Sequence, residues 1–297
     1  MTVAIVGPTA SGKSALALRV AEALGAEIIS ADSRQVYRGL DVGTAKPTAA
    51  DRARVPHHLI DIVDPGDRYD VSRYQRDARG AHADIQRRGR AIVVVGGTGL
   101  YVRALLDELA LDARPSDPDL RARLTALADA EGSEALHARL ADLDPASARE
   151  VDVRNVRRLI RYLEVATLAG PVARDSAPEA TIEATRVALA PPRAWLDARI
   201  DERARAMVEG GVLDEARWLR GLGLDPRTPS LSAHGYVHWL AHLAGSIDLE
   251  TAIARTVRDT RAYARRQMTW FRADPRVTWI DPLVTDPLDL VLKTVRA

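Results

Sequence analysis

Five short apolar runs punctuate this chain: Val3-Ala4-Ile5-Val6, Glu27-Ile28-Ile29-Ser30, Ala91-Ile92-Val93-Val94-Val95, Thr185 to Ala190, and Val277-Thr278-Trp279-Ile280. Each is too short for a helix and reads as a buried strand. Between them, apolar residues recur every three or four positions. Ala15 to Leu24 carries Leu16, Val20 and Leu24 at that spacing, and Ser72 to Arg88 follows with Ser72 in the N-cap position. Further helices are predicted from Leu100, from Arg193, and over Leu249 to Arg272, where Ile253, Val257, Ala264, Met268 and Phe271 form the apolar side. Strands alternating with helices predict an α/β protein with a parallel sheet.

The alternation stops in the middle of the chain. Asp112-Ala113-Arg114-Pro115-Ser116-Asp117-Pro118 is rich in turn formers and marks a boundary. Beyond it, to about Ala169, the pattern is helical and strand-free. Leu120, Leu124 and Leu127 make one stripe; Val156, Leu159, Ile160, Leu163 and Val165 belong to another helix, which Gly170-Pro171 ends. Residues 113–181 therefore read as a helical insert, and residues 1–112 with 182–297 as the core.

The first strand runs directly into Gly7-Pro8-Thr9-Ala10-Ser11-Gly12-Lys13-Ser14, the G-x-x-x-x-G-K-[ST] pattern of a P-loop, with a helix behind it. Strand, turn and helix come in the required order. Backbone N–H groups and the helix dipole make such a turn an anion cradle. Lys13 adds a point charge for phosphates, and Ser14 offers a hydroxyl to Mg²⁺. The pattern does not say which phosphorylated molecule binds. The core is thus expected to be P-loop NTPase-like.

Composition narrows the picture. The chain of 297 residues is 46% hydrophobic, enough for a core, and has no cysteine, which excludes disulfides and Cys-based metal sites. A net charge of +1 makes any nucleic-acid surface local. No apolar run approaches membrane length. A cytoplasmic location is the expectation, with a monomer as the default.

Asp32 is the foremost carboxylate. It follows a buried strand at the edge where parallel sheets bind ligands. It could lie beside Mg²⁺, act as a general base, or cap a turn. Gly96-Gly97-Thr98-Gly99 follows the third strand as a second candidate anion turn or a tight connection. In the insert, Arg154, Arg157, Arg158 and Arg161 cluster on one helix face and suit phosphate contact; pairing with Glu150, Asp152 and Glu164 is the alternative. Arg258, Arg261, Arg265 and Arg272 share a face near the C-terminus, open to nucleic acid or pyrophosphate. Tyr263 and Trp270 on the same helix are expected in the core. His234, His238 and His242 lack a carboxylate in register for zinc, and His57-His58 has no further support as a metal site.

Several stretches together resemble the tRNA dimethylallyltransferases, which prenylate an adenine beside the anticodon. They are the P-loop, Ile29-Ser30-Ala31-Asp32-Ser33-Arg34-Gln35-Val36-Tyr37, Gly43-Thr44-Ala45-Lys46-Pro47 and Pro56-His57-His58-Leu59. Further on come Gly96-Gly97-Thr98-Gly99-Leu100-Tyr101, residues 157–165 and residues 260–271. They run in the family's order over nearly the whole chain.

The resemblance implies a P-loop that binds the pyrophosphate of dimethylallyl diphosphate, with Mg²⁺, and an insert that grips the anticodon stem. It makes Asp32 the general base, partnered with Lys13, and Arg203 a pyrophosphate-side arginine. It assigns tRNA contact to Asp32, Ser33, Arg34 and Gln35; to Thr98 and Arg121; to Arg157, Arg158, Leu159, Ile160 and Arg161; and to Ser232, Ala233, His234, Gly235, Tyr236 and Val237. One departure stands out: the family's Ile-Gly-Tyr-Lys-Glu-like run reads His234-Gly235-Tyr236-Val237-His238. An adenine-nucleotide prenyltransferase, a P-loop kinase and a non-catalytic RNA-binding switch are the rival readings.

Overall fold

A computed structural model describes residues 1–107, 109, 115–171, 182–225, 228–231 and 235–296. The chain divides into two compact units, Met1–Glu108 with Ala180–Ala297, and Leu109–Glu179.

The first unit contains β1 (Thr2–Val6), α1 (Lys13–Leu24), β2 (Glu27–Ser30), α2 (Ala49–Arg54), β3 (His57–His58), α3 (Val71–Arg87), β4 (Ile92–Gly96) and α4 (Gly99–Leu106). The second contains α5 (Pro118–Leu143), α6 (Pro145–Glu150) and α7 (Val156–Ala169). The chain then returns to the first with β5 (Thr185–Leu189), α8 (Arg193–Glu209), α9 (Val212–Gly221), α10 (Tyr236–Leu243), α11 (Leu249–Arg272), β6 (Val277–Ile280) and α12 (Pro287–Arg296).

The six strands form one parallel sheet in the order β3-β2-β4-β1-β5-β6. This is the expected P-loop-type α/β architecture. Val3, Ile5, Val93, Val95, Val187 and Leu189 pack with Leu16, Ala17 and Val20 of α1 in its core. The register matters for function. Val6 pairs with Gly96, and Ser30 with Val95. The ends of β1, β2 and β4 are therefore level, and the three loops that follow them emerge at one edge. They also touch: a Cβ on Gly96 would sit 2.1 Å from the Ala31 carbonyl oxygen.

Local details differ from the sequence pattern where a polar residue competes for a cap. Asp70, not Ser72, caps α3: its carboxylate accepts the Arg73 N–H. A carboxylate is a strong acceptor at this position and starts the helix earlier. In the second unit, Gly132 breaks α5 with φ 85°. That kink lets Leu124, Leu136 and Leu140 meet Leu159, Ile160 and Leu163 in one core.

Candidate active site

The P-loop owes its shape to two glycines. Gly7 holds φ +134°, and a Cβ there would meet the Leu189 carbonyl oxygen at 2.9 Å. Gly12 caps α1 in the left-handed region at φ 91°. Ala10 also lies there, at φ 65°, a conformation an L-residue holds only when its surroundings impose it. Inside the loop, the Ser11 hydroxyl is buried without a hydrogen-bond partner among the described residues. Pro8 is buried in the same turn, where its carbonyl accepts from Lys13 Nζ at 3.2 Å.

Lys13 is desolvated, which lowers its pKa to about 8; the carboxylate of Asp32 pulls it up and Arg203 pushes it down. Arg203, reaching in from α8, donates to Thr9 Oγ1 at 2.6 Å. Burial lowers its pKa as well, opposed by Asp32. Two half-buried cations therefore share one carboxylate, an excess of positive charge that suits a diphosphate.

Asp32 follows β2. Its Oδ1 accepts the Arg34 N–H at 2.8 Å and the Gln35 N–H at 3.4 Å. Asp32 thus caps its own turn and also lines the cavity. Gln35 braces the next loop through the Thr44 and Ala45 carbonyls, and Ser30 Oγ donates to its Oε1. Thr98 stands directly opposite: its Oγ1 accepts the Ser33 N–H at 3.1 Å. The second glycine turn thus supports the Asp32 loop. Arg34 donates to the Pro229 carbonyl.

Two cavities meet here, and Thr9, Lys13, Asp32, Thr44 and Arg203 line both. The first is completed by Arg34, Ile200, Met207, Thr260, Tyr263 and Gln267. The second runs past Ser14 between Leu18, Ile28, Ile60 and Val95. Ser14 lines this cavity next to Lys13, the position from which a P-loop hydroxyl can reach a cation. Among the described residues no cluster of three His, Asp or Glu side chains exists to cage a metal, and Mg²⁺ commonly uses few protein ligands together with substrate phosphates and water.

The sequence pattern overlooked Gln267. It lies buried on α11, with Oε1 accepting the Thr9 N–H at 2.8 Å and Nε2 donating to the Gly97 carbonyl at 2.9 Å. The signal was present: Thr256, Thr260, Tyr263 and Gln267 follow helical spacing, a polar stripe on the helix's inner side. This stripe lines the cavity, so the pyrophosphate reading of the arginine face is corrected. Arg258 pairs with Asp259, and Arg261 with Asp201. The core expectation is corrected too. Tyr263 lines the cavity, with its pKa raised to about 12 by burial and the Asp32 charge. Trp270 is 42% exposed.

Several expected tRNA contacts are structural instead. Tyr236 is fully buried and donates to Glu215, and a Cβ on Gly43 would meet its hydroxyl at 2.5 Å. The Glu215 carboxylate accepts the N–H groups of Asp41, Val42 and Gly43, so the pair anchors the loop that carries Thr44. Val237 is exposed, Gly235 caps α10 at φ 87°, and Ser232, Ala233 and His234 lie outside the described residues. His238 pairs with Asp259, and His242 bonds the Ile247 carbonyl.

In the second unit Leu159 and Ile160 are core residues. Arg121 and Arg161 both reach the buried Glu164 carboxylate, at 2.6 and 2.5 Å. Arg154 pairs with Asp152. Arg157 and Arg158 are the exposed cations of α7 without an ion pair among the described residues; Arg158 donates to Tyr162 Oη.

No helix of the described residues is long and apolar enough to cross a membrane. A family model described as IPP transferase matches residues 35–274, and one described as isopentenyl transferase matches residues 1–57. The tRNA dimethylallyltransferase of Anaeromyxobacter dehalogenans (strain 2CP-C) is 50% identical over 287 residues, 94% of each chain. The crystal structure of the tRNA isopentenylpyrophosphate transferase from Bacillus halodurans is 40% identical with a TM-score of 0.74, covering 99% of this chain and 94% of that one. A eukaryotic dimethylallyltransferase acting on tRNA shares the fold at a TM-score of 0.80 and 24% identity, covering 99% of this chain and 77% of that one. A P-loop that faces a carboxylate across one cavity, joined to matches of this extent, settles the family: the chain belongs to the tRNA dimethylallyltransferases.

Proposed function

We propose that this enzyme transfers the dimethylallyl group of dimethylallyl diphosphate to the N6 amine of the adenine 3′ of the anticodon in tRNA, releasing diphosphate. The observation that carries the reading is that Lys13, Arg203 and Asp32 line the same cavity. One pocket then offers an anion cradle and a base.

The diphosphate belongs at the junction of the two cavities, on the P-loop amides, Lys13 and Arg203. The cavity walled by Leu18, Ile28, Ile60 and Val95 suits the five-carbon tail. The cavity with Arg34, Tyr263 and Gln267 suits the polar edge of an adenine. The exocyclic amine is a weak nucleophile, because its lone pair is delocalised into the ring. As the new C–N bond forms, the allylic C–O bond breaks, and its electron pair leaves on the diphosphate. Asp32 Oδ2 takes the N6 proton, since Oδ1 is held by the turn. Lys13 and Arg203 stabilise the charge gathering on the leaving group. Mg²⁺ held by Ser14 would add Lewis-acid stabilisation to that same group. Extruding the adenine from its stack costs a few kcal/mol, least in a loop.

Exposed Arg157 and Arg158 support tRNA contact by the helical unit, and a free adenine nucleotide would have no use for it. The test is incubation of purified protein with unmodified tRNA, Mg²⁺ and either labelled dimethylallyl diphosphate or labelled ATP. Label entering tRNA from the diphosphate donor, with ATP intact, is the expected result. Prenylation of free adenine nucleotides in preference to tRNA, or ATP turnover without prenylated adenine, would overturn it.

A further inference from the structure

We propose that Glu215 is a positioning residue for the reaction: it aims Asp32 through the turn at residues 41–46 and through Gln35. The inference rests on the base role given to Asp32 above and deepens it.

Glu215 stands in the first turn of α9 and lines neither cavity. Its carboxylate serves one turn. Oε2 accepts the Asp41 N–H at 2.6 Å and the Val42 N–H at 2.9 Å; Oε1 accepts the Gly43 N–H at 3.1 Å and the Tyr236 hydroxyl. Successive N–H groups pointing one way make a concave anion seat. Here the protein's own carboxylate fills that seat, with charge-assisted bonds that are stronger than neutral ones.

The turn so held is one closed unit. The Ala45 N–H donates to the Val42 carbonyl at 3.1 Å, and the Lys46 N–H to the Asp41 carbonyl at 3.0 Å. Ala45 lies at φ 50°, a conformation an L-residue keeps only under constraint. The carbonyls of Thr44 and Ala45 accept from Gln35 Nε2 at 3.4 and 3.2 Å. Gln35 in turn gives its own N–H to Asp32 Oδ1, beside the Arg34 N–H. Moving the turn therefore moves Gln35, and with it a backbone donor that orients the base.

A second anchor separates placing the turn from folding it. The buried Lys46 Nζ donates to Asp41 Oδ1 at 2.6 Å, to the Tyr37 carbonyl and to the Asp61 carboxylate. The turn thus keeps a knot of its own when Glu215 is neutralised. What Glu215 adds is the turn's location relative to Asp32. Proton transfer is sensitive to such a location, since a shift of about 1 Å imposed from outside the chemistry can cost on the order of 10²-fold in rate.

The experiment measures single-turnover prenyl transfer, donor KM, tRNA affinity and Tm for Glu215→Gln, Glu215→Ala and Tyr236→Phe. Each variant is made in the wild-type and in the Asp32→Ala background. Glu215→Gln keeps the shape, loses the charge and sets an NH₂ among donors. It should slow single turnover on the order of 10- to 100-fold, with donor KM and tRNA affinity within about threefold of wild type. Glu215→Ala should cost more, and Tyr236→Phe, which removes one donor of four, less. In the Asp32→Ala background Glu215→Gln should cost nothing further, because residues that act through one group are not additive. A further loss of the same size there would overturn the proposal. So would a wild-type rate in Glu215→Gln, or parallel losses in rate, donor KM and tRNA affinity. Glu215→Gln decides alone if the alanine variant does not fold. A wild-type rate in Asp32→Ala by itself would remove the base reading, and the positioning role with it.

Discussion

The Gln267 side chain accepts the Thr9 N–H at 2.8 Å and donates to the Gly97 carbonyl at 2.9 Å, joining two ligand-edge loops through one buried amide. A Cβ on Gly97 would fall 2.0 Å from Gln267 Nε2, so the fit depends on that glycine. Gln267→Leu leaves a donor and an acceptor buried without partners, at about 1–3 kcal/mol each. The expected outcome is a folded enzyme with a lower Tm and a kcat reduced on the order of 10- to 100-fold, as the P-loop loses its anchor. Wild-type kcat in this variant would show that the clamp is dispensable.

Asp32→Ala should reduce single-turnover prenyl transfer by on the order of 10²–10⁴. Its affinity for tRNA should stay near that of wild type, because Thr98 still holds the Ser33 N–H. Rapid-quench kinetics with saturating donor measures the first quantity and equilibrium binding the second. A near-normal single-turnover rate would remove Asp32 from the base role.

Lys13 sets a pH dependence. Burial lowers its pKa to about 8, Asp32 draws it upward, and Arg203 presses it down. The ammonium is the form that attracts diphosphate. The Lys13 contribution to diphosphate affinity should therefore fall as pH rises through 8, by up to about tenfold per pH unit. Lys13→Arg stays charged throughout and should flatten the curve between pH 7 and 9.5. Calorimetric titration across that range provides the comparison.

Of the arginines expected to face tRNA in the helical unit, Arg157 and Arg158 are the two exposed without an ion pair among the described residues. Arg161 and Arg121 are committed to Glu164, whereas Arg157 and Arg158 are exposed. Arg157→Ala with Arg158→Ala should lower the log–log salt slope of tRNA binding by about 1.4–1.8 in total. Arg154→Ala should change it little, because Asp152 already pairs with that guanidinium. A slope that responds to Arg154 and ignores the double variant would reverse the assignment.

Glu164 ties the stability of the helical unit to pH. Burial pushes its carboxyl up, but Arg121, Arg161 and the Asp117 N–H outweigh burial and hold its pKa at about 2. A depressed carboxylate contributes stability that is fully present above its unfolded pKa of about 4.3 and is lost as pH falls toward 2. Helical content followed by circular dichroism from pH 6 to 2 should decline mainly below pH 4.5. Glu164→Gln should be less stable at pH 7 and lose less stability than wild type across that window.

Local sequence was sufficient wherever the structure repeats a local rule. Val3 to Val6 followed by two glycines and Lys13-Ser14 can form little other than a strand, a cradle and a helix start, because each neighbour dictates the next. The bounds of α11 and β6 agree with the sequence pattern for the same reason: the amphipathic period and the buried run are complete within their own segments. Tertiary structure decided which polar residues face substrate and which hold the protein together. Arg121 carries the same charge as Arg157, and only the fold brings Glu164 to it, from 43 positions away. Tyr236 and Glu215 meet at Gly43 across more than 170 residues, a pairing no periodicity encodes. Gln267 and Trp270 sit one turn apart on the same helix, yet one is buried as a clamp and the other open to solvent. The physical reason is common to all of these. Periodicity records whether a position faces inward, whereas a side chain's partner is set by how the elements pack, and chemistry depends on the partner.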